Sequence, residues 1–580
     1  MKRGSGKKFI RLLCCVLVLA LGLSLGACAP RLKPAKTADG KTLFRLGFSG
    51  APDSLNPYAA GNEEAAAVLS LVYDTLFSLD PETGEYRGSL CREWTVADAA
   101  ARGGKLWKLT LAPDVLWHDG RTLTAGDVEF TLQSMKDFSN RYSYPDCEYI
   151  DVTGIAVEDD THIAFIAWGP ETAVLECLSH VPVVPRHIWN GIPGVEYDSS
   201  GVPRDYVRAA EALRGEEPDA GNMIGSGLYV WAGFENGVCT LRLNEKYWGE
   251  TSAAQTVELC FGCLDPAQLL RRRQIDACWD MAGSSYELLG REKGYALTAG
   301  TAGELYCLAL NLEDSRSLLK ERTVRLAMDL ALDHAGLMNR AFGGGLPALG
   351  LLPPGSPWNY DAALNARNYA PPAARQLLEN AGFTDTDGDG VRTSADGRAL
   401  SFSLLYSDAV PAWGRAAEEI RASLGEIGIG VTARALPPAE LLDALYTGDY
   451  DLLLTGMQSY NDPFYALGMF CWNAGGNDIS VPGLHTDVQP GWNFSGYGNE
   501  EYDRLYSEML YAEPVLRREL TARLGNTLYD DAAVIPLGFG AVYQAASSAW
   551  TEWRTSPGGL FFTPELLRQQ LRGIKIGGKR

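Results

Sequence analysis

Four consecutive residues, Ser459-Tyr460-Asn461-Asp462, bring a hydroxyl, a phenol, an amide and a carboxylate to one short stretch before Pro463. Such a set donates and accepts hydrogen bonds, offers an aromatic face and carries one negative charge, which suits holding a polar solute. Ser407, at the end of another apolar run, adds a hydroxyl. Catalytic patterns are missing. None of His118, His162, His180, His187, His334 and His485 sits in H-E-x-x-H, and no G-x-S-x-G is present. Ser226, between two glycines, has no base beside it in sequence to make it a nucleophile. Carboxylates are too numerous to single out a glycosidase pair. Asp385, Asp387 and Asp389 mimic the start of an EF-hand calcium loop, but the twelfth position is Asp396 and Leu400 begins a strand rather than a helix. Asp and Gly at that density read as a turn, with calcium as the alternative. Cys260-Phe261-Gly262-Cys263 is a C-x-x-C without a second pair at zinc spacing, so a structural role is expected ahead of a metal or redox one.

The segments that must position the Ser459–Asp462 loop are legible. Leu400 to Tyr406 reads as a strand, Trp413 to Ile427 as an amphipathic helix, Ile429 to Ala435 as a strand, Pro438 to Leu445 as a helix opened by proline, and Asp451 to Thr455 as a third strand. Strand–helix–strand–helix–strand implies parallel pairing with right-handed crossovers. Ligands of such sheets bind beyond the carboxyl ends of the strands, here Tyr406 to Asp408 and Gly456 to Pro463. Elsewhere Leu43 to Phe48 alternates as a strand, and Ala65 to Phe77 has helical spacing. Trp107 to Leu111, a turn at Asp119-Gly120 and a helix capped by Thr124 make up a further unit of two strands and a helix. Residues 191 to 224 form a Gly- and Pro-rich loop, and Ser317 to Phe342 reads as one long helix.

The chain has 580 residues and a formal charge of −21. It is too long for one core, so two or three lobes are expected. Such acidity argues against nucleic acid as a partner and against electrostatic attachment to an anionic membrane. At the N-terminus five basic residues (Lys2, Arg3, Lys7, Lys8, Arg11) precede an uncharged run from Leu12 to Ala27. That run is shorter than the roughly 20 residues a spanning helix needs, and it ends in small residues, as a secretory signal does. Leu25-Gly26-Ala27-Cys28 resembles the lipobox of bacterial lipoproteins, which implies cleavage before Cys28 and a diacylglycerol on its sulfur. Losing the five cations takes the charge from −21 to −26. Residues 1–27 are thus a signal peptide and 28–41 a lipidated, flexible tether. Nine cysteines remain beyond Cys28, an odd number at irregular spacing and mostly in apolar sequence, which reads as buried thiols.

An ordered series of motifs resembles the family 5 extracellular solute-binding proteins of ABC importers, which include oligopeptide, dipeptide and nickel binders. The series comprises Ser54-Leu55-Asn56-Pro57, Tyr73-Asp74-Thr75-Leu76-Phe77, Leu90 to Thr95, Trp117-His118-Asp119-Gly120 with Thr124 to Val128, Ile224 to Tyr229, Asn244 with Tyr247-Trp248, Val324 to Asp333, Asn493 to Tyr497 and Val534 to Leu537. The resemblance implies an α/β, periplasmic-binding-protein-like fold of the class II (cluster C) type, with two large lobes around a ligand cleft and a smaller extra lobe. It divides the chain into a discontinuous lobe I (42–80, 224–306 and 538–580), lobe II (81–223) and lobe III (307–537). The lobes would close on a ligand by hinge motion. The implied protein is a non-enzymatic, extracytoplasmic, lipid-anchored monomer without a cofactor, periplasmic if the cell has two membranes. It would capture an oligopeptide or dipeptide and pass it to ABC permease and ATPase subunits. Trp279, Tyr306, Trp358, Tyr460 and Trp472 lie near the implied cleft. Peptide binders of the family place an amine-binding Asp where Ser459 stands. A serine carries no charge to pair with an ammonium, so either Asp462 supplies it or the solute is neutral or sugar-like. A secreted glycan hydrolase is the alternative outside transport.

Overall fold

The computed structural model describes residues 33–80, 85–99, 104–137, 150–167, 171–190, 215–314, 316–353, 356, 358, 367–458, 463–471, 493, 495–556 and 558–577. The expected signal peptide, Cys28, the loop Ser459–Asp462, Trp472 and Cys147 lie outside the described residues. No helix among the described residues is long and apolar enough to cross a membrane.

Twelve strands form one mixed sheet whose two halves share a pair of long antiparallel strands, Tyr295–Leu310 and Val534–Ser547. On one side the pair continues through Ala277–Cys278 to Thr42–Gly47, Thr256–Cys260, Val238–Leu243 and Tyr229–Glu235. On the other side Leu452–Gln458, Ser401–Ser407 and Gly430–Leu436 follow. Thr42–Gly47 runs parallel to both Thr256–Cys260 and Ala277–Cys278, and Ser401–Ser407 runs parallel to Gly430–Leu436 and Leu452–Gln458. The register of the long pair shifts between Thr301 and Leu305 and again between Tyr306 and Cys307. Such bulges bend a strand and raise its twist. Each long strand therefore serves the two halves with different portions of its length: Tyr295 to Thr301 faces Ala541 to Ser547, while Leu305 to Leu310 pairs with Leu452 to Met457. A separate four-stranded antiparallel sheet, ordered Cys91–Ala99, Gly104–Leu111, His162–Ala167, Ile150–Val157, belongs to the intervening segment.

The strand–helix unit after residue 400 forms as the sequence requires. The helix Pro411–Gly425 buries Ala416, Ala417, Ile420 and Leu424, and the helix Pro438–Thr447 opens with proline and stops at Gly448, whose φ of 70° suits glycine. Three expectations need correction. The helix expected over Ala65 to Phe77 spans Glu63–Val72, because Tyr73 turns extended (φ −114°, ψ 144°) and Phe77–Leu79 joins a hairpin. The helix expected over Ser317 to Phe342 breaks into a short 3-10 turn, Arg322–Ala331 and His334–Phe342. There Leu332 is extended and the Asp333 side chain accepts the N–H of Gly336, starting a new helix. After Gly104–Leu111 the expected second strand is reduced to one bridge, Leu116 with Thr122.

Asp74 explains why the first helix stops early. Its side chain is fully buried and is met by four partners from distant segments. Ser226 Oγ donates to it at 3.1 Å, Tyr247 Oη at 3.0 Å, Trp248 Nε1 at 2.9 Å and Arg568 Nη1 at 2.5 Å. Arg568 also donates to the carbonyls of Ser70 and Tyr73. Gly225 and Gly227 lie so close to the end of the same helix that a Cβ on either would fall within 2.6 Å of the Val72 carbonyl oxygen. His118 closes the arrangement. Its Nδ1 accepts the Gly225 N–H at 3.2 Å, so Nε2 carries the proton and donates to Gly227 O at 3.0 Å. Burial lowers its pKa and keeps it neutral.

All eight described cysteines are free, and all but Cys260 are buried. Cys263 Sγ donates to the Cys260 carbonyl at 3.3 Å, and burial pushes the Cys260 thiol up to about 12. Protonated thiols in apolar surroundings are inert, which agrees with the structural reading of this C-x-x-C.

Removing one partner of a buried ion pair strands the other charge, at a cost of about 3–5 kcal/mol. Asp74→Ala is therefore expected to lower the unfolding free energy by about that amount in urea denaturation. A loss below about 1 kcal/mol, the range of a surface pair, would show that Arg568 finds water or another acceptor instead.

Candidate functional site

The register brings the carboxyl ends of the two sets of parallel strands to the long pair at two points, one near its end and one at its middle. Cys278 pairs with Ala545, which pairs with Leu297, and Gln458 pairs with Glu304. Between these points lies a cavity of about 1120 Å³. Its walls come from all three expected lobes: Glu63, Trp279 and Phe562 on one side, Thr172 and His180 on another, and Trp358 on the third. Arg517 bridges the last two. Its Nη1 donates to Thr172 Oγ1 and its guanidinium lies 4.6 Å from the centre of the Trp358 ring.

Trp279 directly follows the short strand Ala277–Cys278, and its N–H donates to the Gly47 carbonyl at 2.8 Å. Phe48 stacks on it with ring centroids 4.8 Å apart, and Phe562 lies 6.3 Å away. Gln544 fixes Phe562: its amide donates to the Phe562 carbonyl and its oxygen accepts the Phe562 N–H, at 2.8 and 2.9 Å. Trp279 Nε1 in turn donates to Glu63 Oε2 at 3.3 Å. Glu63 is the first residue of its helix, whose N-cap is Asn62, and Glu565 lies in the first turn of the helix Pro564–Gly573, capped by Thr563. Acidic side chains at these positions complement the helix dipoles. Glu304 folds back over Gly456, where a Cβ would lie 1.9 Å from its Oε1; glycine there makes room for the carboxylate.

Of the residues expected to face a ligand, Trp279 and Trp358 line this cavity. Tyr306 is not on the cavity wall but packs in an aromatic cluster, 4.4 Å from Phe342 and 5.1 Å from Trp413 between ring centroids. Ser407 is not on the cavity wall, and its hydroxyl accepts the Ala409 N–H. Asp385, Asp387 and Asp389 are exposed, far along the chain from any wall residue, with oxygens within 4.8 Å of one another. They cap their own turn, Asp385 accepting from Gly388 and Gly390. Sequence reasoning missed the wall residues Glu63, Glu565 and Gln544, and Glu304, which follows the wall residue Gly303. A first-turn glutamate is ordinary dipole complementation, and only the cross-strand register shows that Glu304 faces the end of the neighbouring strand.

Residues 85–478 match the bacterial extracellular solute-binding proteins, family 5 (middle region). The chain belongs to this family. It is 23% identical to the oligopeptide-binding protein AppA of Bacillus subtilis over 523 residues, 87% of this chain and 88% of that one. Protein XP55 of Streptomyces lividans is 26% identical over 394 residues, 67% of this chain and 66% of that protein. Among solved structures, Bacillus subtilis AppA with a nonapeptide superposes at a TM-score of 0.70 and 19% identity, covering 94% of this chain and 100% of that one. An oligopeptide ABC transporter binding protein of Thermotoga maritima with mannohexaose superposes at 0.67 and 22% identity, covering 92% and 98%. The lobed α/β fold expected from sequence is thus the fold of family 5, and the protein is an extracytoplasmic solute-binding component of the kind that serves ABC importers.

The cavity wall of this family 5 protein mixes carboxylates, Glu63 and Glu565 among them, with arginines such as Arg554 and Arg568. Glu63 is exposed to the open space of the cavity, yet the protein packed around it, then the Glu565 charge, push it up to about 7 against the hydrogen bond from Trp279. Glu64 and Glu304 are also raised, chiefly by burial. Tyr306 rises to about 12 through burial and the charges of Glu304 and Glu63. A carboxyl whose pKa is higher folded than unfolded stabilises the fold below its unfolded value, and this is lost as pH rises through the folded one. Stability of the empty family 5 protein is therefore expected to fall between pH 4.5 and 7. Glu63→Gln should flatten that slope and raise the melting temperature at pH 7.5. A variant with an unchanged slope would place the titration on other groups.

Proposed function

We propose that this protein is the lipid-anchored capture subunit of an ABC importer, holding an oligopeptide or dipeptide in the 1120 Å³ cavity and delivering it unaltered to a permease. The cavity carries this reading: it lies where the carboxyl ends of two parallel strand sets converge, and segments of all three expected lobes wall it. The relatives support a peptide. AppA, a di/tripeptide-binding protein of Pseudomonas aeruginosa and the dipeptide-binding protein of Escherichia coli align over most of the chain. In this reading lobe I comprises 42–80, 224–306 and 538–580, lobe II 81–223 and lobe III 307–537, and the bulged long strands are the hinge. Ser459, Tyr460, Asn461 and Asp462 would complete the ligand wall beyond Gln458. A glycan is the second reading, favoured by the aromatic wall of Trp279, Trp358 and Phe562 and by the mannohexaose complex of the Thermotoga relative.

Peptide at a hundredfold excess over its Kd should stabilise the protein by about 2.7 kcal/mol. Thermal-shift screening of peptide and oligosaccharide libraries, with mass spectrometry of whatever co-purifies, reads this directly. Stabilisation by oligosaccharides alone selects the second reading, and no shift from either on folded protein removes both. For the anchor, Cys28→Ala should release the protein from the membrane fraction; retention of the variant there would refute lipidation at Cys28.

A further inference from the structure

We propose that a basic rim at one end of the large sheet rests on anionic phospholipid, so that the anchored protein stands with its cavity turned away from the membrane. The proposal rests on the reading above that Cys28 carries the lipid.

Segments far apart in sequence meet at this rim. Ser547 N–H donates to the Asp276 carbonyl and Ser548 N–H to that of Gly294, both at 2.8 Å, and Gly577 N–H donates to Ala549 O at 2.7 Å. Arg45 Nη2 donates to the Arg273 carbonyl at 2.8 Å, and Ala35 and Lys36 pair with Leu43 and Thr42. The N-terminal hairpin, the turn before Ala277–Cys278, the turn before Tyr295 and the C-terminal ribbon of Trp550–Thr551 with Lys575–Ile576 therefore share one edge. The opposite ends of these strands lead to Trp279, Thr301 and Gln544 on the cavity wall.

The charges of the rim are unlike those of the rest of the chain. Lys33, Lys36, Arg272, Arg273, Arg291 and Lys293 are exposed, and among the described residues none of them has a carboxylate within ion-pairing distance. Four acids of these segments are already matched. Asp276 lies 3.2 Å from Arg45, Glu245 3.7 Å from Lys41, Glu292 2.9 Å from Arg271 and Glu552 4.0 Å from Lys575. Asp39 and Glu287 remain as exposed acids, two against six. The sequence adds Arg31 on one side and Lys579 and Arg580 on the other. Residues 28–41 and 572–580 together carry +7, so the rest of the chain beyond the signal peptide stands at −33 where the whole stands at −26. The acidity that argues against an anionic membrane is thus an average over a polarised molecule.

The tether brings this rim to the lipid. It is shorter than the expected 28–41, because Ala35 and Lys36 already belong to the hairpin. Five residues separate Cys28 from Lys33, at most roughly 18 Å of chain, which is about two Debye lengths at physiological salt. There each basic side chain adds to the attraction for anionic headgroups. Ile576, exposed beside Lys575, offers an apolar contact. Standing on this rim, the protein presents its cavity to arriving solute, and delivery to a permease requires the rim to lift.

The test uses the full-length protein purified from membranes and added to vesicles of phosphatidylcholine alone or of equal parts phosphatidylglycerol and phosphatidylcholine. Floated vesicles are treated with an acetylating reagent, and labelling of each lysine is followed by mass spectrometry. Lys36, Lys293 and Lys575 are expected to label at least roughly threefold more slowly on the anionic vesicles, with Lys105 and Lys320 unchanged. About 0.5 M sodium chloride should abolish the difference, and so should Arg272→Glu combined with Arg273→Glu, while the variant still floats. Flotation with both vesicles and equal labelling overturns the rim and leaves the anchor standing. Protection that survives charge reversal in the folded variant also overturns the rim. Flotation with anionic vesicles alone, lost in salt, supports the rim and removes the anchor. Flotation with neither overturns both.

Discussion

The buried carboxylate of Asp74 ties the end of the helix Glu63–Val72 to residues far along the chain. A charge without access to water survives only if every lone pair is answered, and the answers come from residues 226, 247, 248 and 568. That single requirement fixes where the first helix stops, where the Gly-Ser-Gly turn lies against it, and where the C-terminal helix docks. The docked helix carries Glu565 to the cavity, and the stopped helix carries Glu63. The placement of both glutamates is thus a consequence of the Asp74–Arg568 ion pair, whose arginine itself lines the cavity.

A second constraint is continuity of the sheet. The two halves are not separate domains joined by linkers; they share two hydrogen-bonded strands of 16 and 14 residues. Any relative movement must be absorbed where the ladder is already irregular, at Thr301 to Cys307. These residues also border the cavity, with Thr301, Ala302 and Gly303 on its wall. In the proposed reading, bending and ligand contact would be coupled through one short stretch of backbone, the arrangement a closing receptor needs.

Much of this was legible in the chain. The parallel unit after residue 400 follows from alternating apolar spacing, proline at helix starts and glycine at a stop, all local signals. The motifs Tyr73-Asp74, Trp117 to Gly120, Ile224 to Tyr229 and Tyr247-Trp248 announced a family, and the structure gives their common reason: Asp74, His118, Ser226 and Trp248 form one buried network. The broken helix at Leu332-Asp333 was harder to read because apolar spacing runs straight through it, and only the competing cap of Asp333 divides it. The cavity wall was hidden for a different reason. Glu63 and Glu565 are ordinary singly among many acids, and only the fold brings them to one cavity.

The cysteines bear on how such a protein survives where it works. Seven of the eight described thiols are buried, and burial raises those of Cys91, Cys239 and Cys307 to about 12. A thiol that stays protonated neither attacks a disulfide nor yields readily to oxidants. In an oxidising compartment the native chain is accordingly shielded from sulfur exchange by its own packing, whereas any partly open state would bare several nucleophiles at once. Completed folding thus doubles as the molecule's antioxidant defence.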